Sequence, residues 1–532
     1  MMNFQQYPNM TKIIIPNNIQ LSTTDFNNVF YNMKNLVASE IPYEKITNMA
    51  QTYALCSNLT GSPICGPNVT NMYSTYASCS NLTGSPVCGN KVTDMSNTYS
   101  YCRNLTGSPV CGDKVTNMAN AYFYGWNLTG SPVCGPNVTN MHNAYHSCNK
   151  LTGNIVCGDK VTNMSGAYMG CSNLTGGIIF GPNVTDISQT YSGCSNLTGN
   201  IICKDSFTNL HRTYRGCVNL TGNPLCSSNV IDLSETYSGC SNLTGSPVCG
   251  DKVANMSSAY SRCYNLTGNP ICGPNVTDMS SAYWWCNKLT GNPVIGPNVT
   301  NMASAYEGCS NLTGNPICSN KIINFENAYR SCNKLTGSPV CGPNVTNMQN
   351  TYASCSNLTG SPVCGPNVTD ISSTYYWCNK LTGNPICGDK VTNMANAYAY
   401  CEKLTGSPVC GPNVTNMQNA YFWCRNLTGN PICGEKVTDM SNAYVRCDKL
   451  LSNTMYLYSK KIYNIKNCVA GRNVSNRLNI YIYANCMTYN TIFKNGIASS
   501  SYSLTGNEIT WTNMTNGFYN AAQNIYVYTN LA

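Results

Sequence analysis

The sequence predicts a β/α solenoid: about eighteen stacked 23-residue coils, each with short strands and a short helix, capped at both ends. Three observations predict it. Leucine recurs every 23 residues from Leu59, Leu82 and Leu105 through Leu427 to Leu450, with no insertion or deletion. Between those leucines, apolar and turn-forming residues hold fixed places. A segment this short cannot bury its own apolar side, whereas stacking on equivalent neighbours buries it in ladders of like residues.

Counting the leucine as slot 1, the apolar slots are 1, 6, 11, 14, 18 and 21. Met72, Thr75, Tyr76 and Cys79, at slots 14, 17, 18 and 21, have the i, i+3, i+4, i+7 spacing of one face of a two-turn helix. The residue before them is Asn or Asp in every internal coil, as at Asn71, Asp94 and Asp186. Those residues are favoured helix N-caps, because a short side-chain oxygen accepts from free N–H groups. A helix is therefore expected from slot 14 to about slot 21. Gly at slots 3 and 8, Pro at slots 5 and 9 and Asn at slot 10 mark bends, which leaves room for strands near slots 5–7 and 10–12. At a strand spacing of about 4.8 Å, eighteen coils predict a rod roughly 85 Å long.

Substitutions fit stacked neighbours. Slot 5 is Ile instead of Pro in three consecutive coils, at Ile155, Ile178 and Ile201. Slot 18 is Tyr in every coil from Tyr53 to Tyr444. Such a ladder buries its rings while each hydroxyl needs a partner. Residues 1–58 read as an N-terminal cap with imperfect coils, where Phe26, Phe30 and Met33 stand for the later Met, Tyr and Cys. Residues 59–450 are the regular array. Residues 451–532 read as a β-rich C-terminal cap or docking module of degenerate coils. Three Tyr-alternating segments there (455–458, 480–483 and 525–528) are expected to be strands, and Leu504 to Ile509 echoes slots 1 to 6.

The motif Val-Thr-[Asn/Asp]-Met-x-x-[Ala/Thr]-Tyr-x-x-Cys-x-[Asn/Lys]-Leu-Thr resembles the BspA-type leucine-rich repeats and related repeats of bacterial surface proteins, over roughly residues 30 to 450. The resemblance implies that Leu59, Val69, Met72, Tyr76 and Cys79 point inward. This chain departs from the family where a coil begins: the usual Leu-x-x-Ile-x-Ile strand is replaced by Leu-Thr-Gly-Ser-Pro-Val at residues 82–87. Members are mostly adhesins and surface interaction proteins, and similar arrays occur in phage-encoded proteins. The resemblance thus implies a recognition or adhesion protein, displayed on a virion or cell surface.

Composition narrows the function classes. Only 10% of residues are charged, and the net charge of +9 is thinly spread, so no nucleic-acid patch or polybasic membrane anchor is expected. No apolar run approaches the ~20 residues of a membrane span. The first residues lack the basic-then-apolar pattern of a secretory signal. The expected location is a virion or extracellular surface reached without a classical signal peptide, with a cytoplasmic location as the alternative.

The cysteines form two ladders. Slot 21 runs from Cys56 to Cys447, broken by Gly125, and slot 7 from Cys65 to Cys433, broken by Phe180 and Ile295. Disulfide or metal frameworks do not accept Phe or Ile as members, whereas free cysteine packs as a small hydrophobe. The spacings also miss zinc patterns. A thiol-rich redox or metal protein is the remaining alternative. His142 and His146 lie four residues apart, short of a metal set and expected as a solvated pair. Asn-Leu-Thr and Asn-Val-Thr sequons, as at Asn58 and Asn68, read as coil pattern, not glycosylation sites. No nucleophile–base pair or phosphate loop recurs, so neither enzyme activity nor a cofactor is expected.

The variable slots 15, 16, 19 and 20 carry the candidate site. Slots 19 and 20 turn aromatic at Phe123-Tyr124, Trp284-Trp285, Tyr376-Trp377, Tyr400 and Phe422-Trp423. The candidate binding residues are Trp284, Trp285, Tyr376, Trp377, Tyr400, Phe422 and Trp423; the last five, on consecutive coils, are expected to form one stripe. Its partner is a protein or glycan receptor, or neighbouring subunits of an assembly, with homo-oligomerisation through the C-terminal region also possible. A purely architectural decoration protein is the alternative function.

Overall fold

A computed structural model describes residue 4, residues 6–450 and five backbone strands between 454 and 528. The chain forms two compact units, Met1–Leu266 and Thr267–Ala532. Each is a stack of 23-residue coils built on one local plan.

The helix expected over slots 14–21 does not form. Among the described residues there is no α-helix, only a 3-10 turn at Tyr43–Lys45. Slots 14–21 instead make successive β-turns. In the coil of Leu59, the N–H groups of Thr75, Ala77 and Cys79 each donate to the carbonyl three residues back, at Met72, Ser74 and Tyr76. The alternating N–H groups of Met72, Ser74, Tyr76 and Ser78 donate to the next coil, at Asp94, Ser96, Thr98 and Ser100. Half of the amides thus close turns and half join coils. Ser74 and Ser78 have φ of 51° and 61°, the positive value that type II turns need at their third residue. Two such turns four residues apart put slots 14, 17, 18 and 21 inward, which is also the spacing of a helical face.

The predicted N-cap chemistry survives in another form. Asn71 Oδ1 accepts from the Tyr73 N–H at 2.9 Å, and Asp94 Oδ1 from the Ser96 N–H at 2.8 Å. These are side-chain turns two residues long. The same slot makes single parallel bridges between coils, as in Asn71↔Asp94 and Asn347↔Asp370. Slots 5–7 and 10–12 form no strand in most coils, the exception being β3, Ile432–Cys433. Gly at slot 3 is in the left-handed region (φ 84° at Gly61), and the proline at slot 5 cannot donate, so the usual strand of that segment has lost its ladder.

The core of each unit is a set of like-residue ladders. Leu82, Val92, Met95, Tyr99 and Cys102 are all buried, as are Leu381, Val391, Met394, Tyr398 and Cys401. Tyrosine rings of neighbouring coils lie parallel, with centroids 5.7 Å apart for Tyr76–Tyr99 and 5.6 Å for Tyr306–Tyr329. Slot 6 is apolar yet faces outward: Ile64 is 45% exposed. Slot 5 points inward instead, through Pro63 or Ile155.

At the N-terminal end β1 (Lys12–Ile14) pairs in parallel with β2 (Ala38–Glu40). Phe26, Phe30 and Met33 are buried, and Phe30 lies against Tyr53 at 5.3 Å. In the second unit β3 is followed by the parallel strands β4 (Thr454–Leu457), β5 (Asn479–Tyr483) and β8 (Asn524–Tyr528). The strands β6 (Tyr502–Thr505) and β7 (Glu508–Trp511) pair antiparallel, so Leu504 faces Ile509 across a hairpin register and not within a coil. The rest of residues 451–532, and with it most of the degenerate-coil reading, lies outside the described residues.

Candidate functional site

The cysteine ladders are structural. Every described cysteine is a free thiol. At slot 21 the buried thiol donates to the slot-18 carbonyl of the preceding coil: Cys79 Sγ to Tyr53 O and Cys355 Sγ to Tyr329 O, both at 3.0 Å. Burial pushes Cys102 and Cys355 up to about 12. The half-buried slot-7 thiols Cys65 and Cys134 rise to about 11, again chiefly through burial. A reactive cysteine needs the opposite shift, toward the thiolate. Among the described residues no group of three His, Cys, Asp or Glu is placed to hold a metal ion. His142 and His146 do not share a site: His142 Nδ1 lies 2.8 Å from Ser165 Oγ, whereas His146 stacks on Tyr124 at 5.4 Å.

The aromatic stripe is built by the turn at slots 18–21. The slot-20 residue has positive φ there, 62° at Trp377, 64° at Tyr400 and 62° at Trp423. For an L-residue with a side chain that region costs on the order of 1 kcal/mol. Other coils relieve it with Gly170, Gly193, Gly216 or Gly239. The stripe keeps large rings where glycine serves in those coils, and the rings stack on one another across coils.

Trp377 and Tyr400 stack at 4.6 Å with 25° between planes, and Tyr400 continues to Trp423 at 6.0 Å. Tyr376 meets Tyr400 edge-on at 5.7 Å, and Phe422 meets it at 5.3 Å. The far end is closed by guanidinium groups, Arg425 at 4.5 Å and Arg446 at 5.8 Å from the Trp423 ring. The near end is open. The slot-20 residue one coil earlier is Ser354, and Trp377 is 43% exposed. Five of the seven sequence-derived candidates are therefore brought together. Trp284 and Trp285 are not among them: they meet edge-on at 6.4 Å, and Gly308, Ser331 and Ser354 occupy slot 20 between Trp285 and Trp377.

A second aromatic cluster, in the first unit, was only half legible from sequence. Tyr101 and Tyr124 stack at 5.2 Å, Phe123 meets His146 at 4.7 Å, and Arg103 lies 4.6 Å over the Trp126 ring. Phe123 and Tyr124 stand out as a pair; Tyr101, Arg103, Trp126 and His146 do not. The signal that finds them is slot 22, where Arg103 and Trp126 follow slot-20 tyrosines on consecutive coils.

No family model matches the chain, and no curated protein matches it. Solved structures similar to it include two described as leucine-rich. A leucine-rich repeat protein from Bacteroides ovatus shares 13% identity over 80% of this chain and 88% of its own, with a TM-score of 0.37. A leucine-rich cell surface protein from Faecalibacterium prausnitzii shares 16% over 72% and 87%, with a TM-score of 0.26. YopM from Yersinia enterocolitica shares 10% over 80% and 78%, with a TM-score of 0.33. Likenesses of this size carry no argument about partner or activity, and the stacked-coil architecture rests on the chain's own hydrogen-bond ladders. No helix among the described residues is long and apolar enough to cross a membrane.

Proposed function

We propose that the chain is a non-enzymatic recognition protein of the leucine-rich repeat kind, displayed on a cell or virion surface, and that the stripe Tyr376–Trp377–Tyr400–Phe422–Trp423 binds its receptor. One observation carries the proposal. Three consecutive coils place large rings at a backbone position where glycine is the low-energy choice, and the stack they form leaves Trp377 open to solvent. Exposed aromatic clusters with a stacked arginine are typical of binding hot spots. A glycan or a protein loop would lie on Trp377 over the Ser354 step.

The test is binding of the intact chain and of Trp377→Ala and Trp423→Ala to a glycan array and to candidate host cells. The proposal expects both variants to lose binding without a change of fold. Unchanged binding contradicts it. Loss of self-assembly in place of receptor binding would favour the architectural reading, which draws support from the stripe's place one coil before the coil of Leu427 and β3.

A further inference from the structure

The cluster in the first unit differs from the stripe in its charge. Arg103 is exposed, its guanidinium lies 4.6 Å over the Trp126 ring and 6.0 Å from the Tyr101 ring, and among the described residues no ion pair involves it. Stacking of this kind fixes the plane of the guanidinium and leaves its edge donors directed outward. Its slot-22 neighbours are Ser80 and Trp126, whereas those of Arg425 are Glu402 and Asp448. Residues 97–106, 119–128 and 142–151, which build the cluster, contain Arg103, Lys150, His142 and His146 and no Asp or Glu. The aromatic surface is open on one side: Tyr101 is 39% exposed, and the slot-20 residue before it is Ser78.

The coil that carries Phe123, Tyr124 and Trp126 is also the one that gives up the slot-21 cysteine. Gly125 stands in its place. A Cβ there would come within 2.7 Å of the Leu128 side chain, so the space beside Gly125 is already taken. This coil therefore departs from the repeat in both its core and its surface, at the place where the aromatic–arginine cluster is built.

We propose that Tyr101, Arg103, Tyr124, Trp126 and His146 form a separate binding site for a carboxylate-bearing sugar. A pyranose ring has an apolar C–H face that lies flat on the open Tyr101 ring. A carboxylate on that sugar reaches the guanidinium edge of Arg103 and is held by its paired N–H donors, the geometry in which arginine binds carboxylates most strongly. The alternative anion, a single-stranded nucleic acid, needs a basic groove that follows successive phosphates, and one arginine fork with one lysine supplies a single anchor. The site uses no residue of the Trp377 stripe, so either can fail without the other.

The experiment is saturation-transfer NMR and calorimetric titration of the full chain with 3′-sialyllactose, with neutral lactose, and with an oligothymidylate. Saturable binding of the acidic sugar is expected, at least about tenfold tighter than lactose, the factor that follows from one charged hydrogen-bonded pair. Arg103→Gln and Trp126→Ala should each weaken it about tenfold or more at an unchanged unfolding midpoint, while Trp377→Ala leaves it intact. Equal affinity for lactose, tighter binding of the oligonucleotide, no binding at all, or indifference to both Arg103→Gln and Trp126→Ala would overturn the proposal.

Discussion

The hydroxyl of Tyr76 closes on the backbone of Ile64 across the coil, donating to the Ile64 carbonyl at 2.6 Å and accepting from the Ile64 N–H at 3.0 Å. The same double contact joins Tyr122 to Val110 and Tyr352 to Val340. It explains why slot 18 is tyrosine and not phenylalanine. Slots 5–7 have no strand ladder in these coils, so a buried hydroxyl satisfies the peptide groups that a strand would have paired. In the three coils with Ile at slot 5, only the donated bond remains, as from Tyr191 to the Ile179 carbonyl at 2.8 Å.

Tyr122→Phe should therefore cost about 1–3 kcal/mol, because it leaves both polar groups of Val110 without a partner while the ring still stacks. Tyr191→Phe should cost less, since one bond is lost in place of two. Urea unfolding gives the ranking. Hydrogen exchange adds a local check, because the Val110 amide should lose protection in Tyr122→Phe.

The slot-20 turn makes a prediction of opposite sign for two small changes. Ser331 has φ of 62°. Ser331→Gly should be neutral or mildly stabilising, and Ser331→Val should destabilise by roughly 1–3 kcal/mol, since a β-branched residue is poorly tolerated at positive φ. A helix would give the reverse order, with Gly the costlier mid-helix residue. Thermal unfolding of the two variants decides it.

The thiols set the alkaline limit of stability. An ordinary thiol loses its proton near 9, whereas Cys102 and Cys355 hold theirs up to about 12 because they are buried. Between those values the unfolded chain binds fewer protons than the folded one, so stability falls as pH rises. The contribution is present in full below about pH 9 and is lost toward pH 12, and the buried tyrosines, raised in the same direction, add to it. The urea midpoint should hold up to about pH 9 and then drop steadily toward pH 12. A thiol reagent at neutral pH should label the slot-21 cysteines only after unfolding.

Much of the architecture is legible in the sequence, for a definite reason. Stacking demands that like residues meet, so Leu59, Val69, Met72, Tyr76 and Cys79 recur at fixed places, and the period can be read without knowing the backbone. The backbone itself is harder to read. The spacing of Met72, Thr75, Tyr76 and Cys79 suits one helical face and also suits two turns four residues apart. The residues that decide between them are those facing out. Slot 16 is Ser74, Asn97, Asn120 or Gly166, and slot 20 is Gly at 170, 193, 216 and 239. These types tolerate positive φ and disfavour helix interiors. Slot 6 misleads in another way, since Ile64 is apolar and exposed while Pro63 faces the core. The aromatic stripe was visible because its rings are adjacent in sequence. The Arg103 cluster was half visible, through the adjacent Phe123 and Tyr124, whereas Tyr101, Arg103, Trp126 and His146 stand apart in sequence and join it only through the stack.

That stacking register is most directly tested by removing one whole coil, residues 381–403, which carries Tyr400 between Trp377 and Trp423. Like slots should then meet across the junction: the chain should unfold cooperatively with little loss of midpoint, and Trp377 should stack on Trp423, giving a tryptophan exciton couplet in the far-ultraviolet circular dichroism on top of the contribution of the Trp284–Trp285 pair, which intact and shortened chains share. Removing residues 381–402 instead should shift every later slot by one and abolish both. A 23-residue deletion that unfolds the second unit, or that folds without the couplet, would contradict the account.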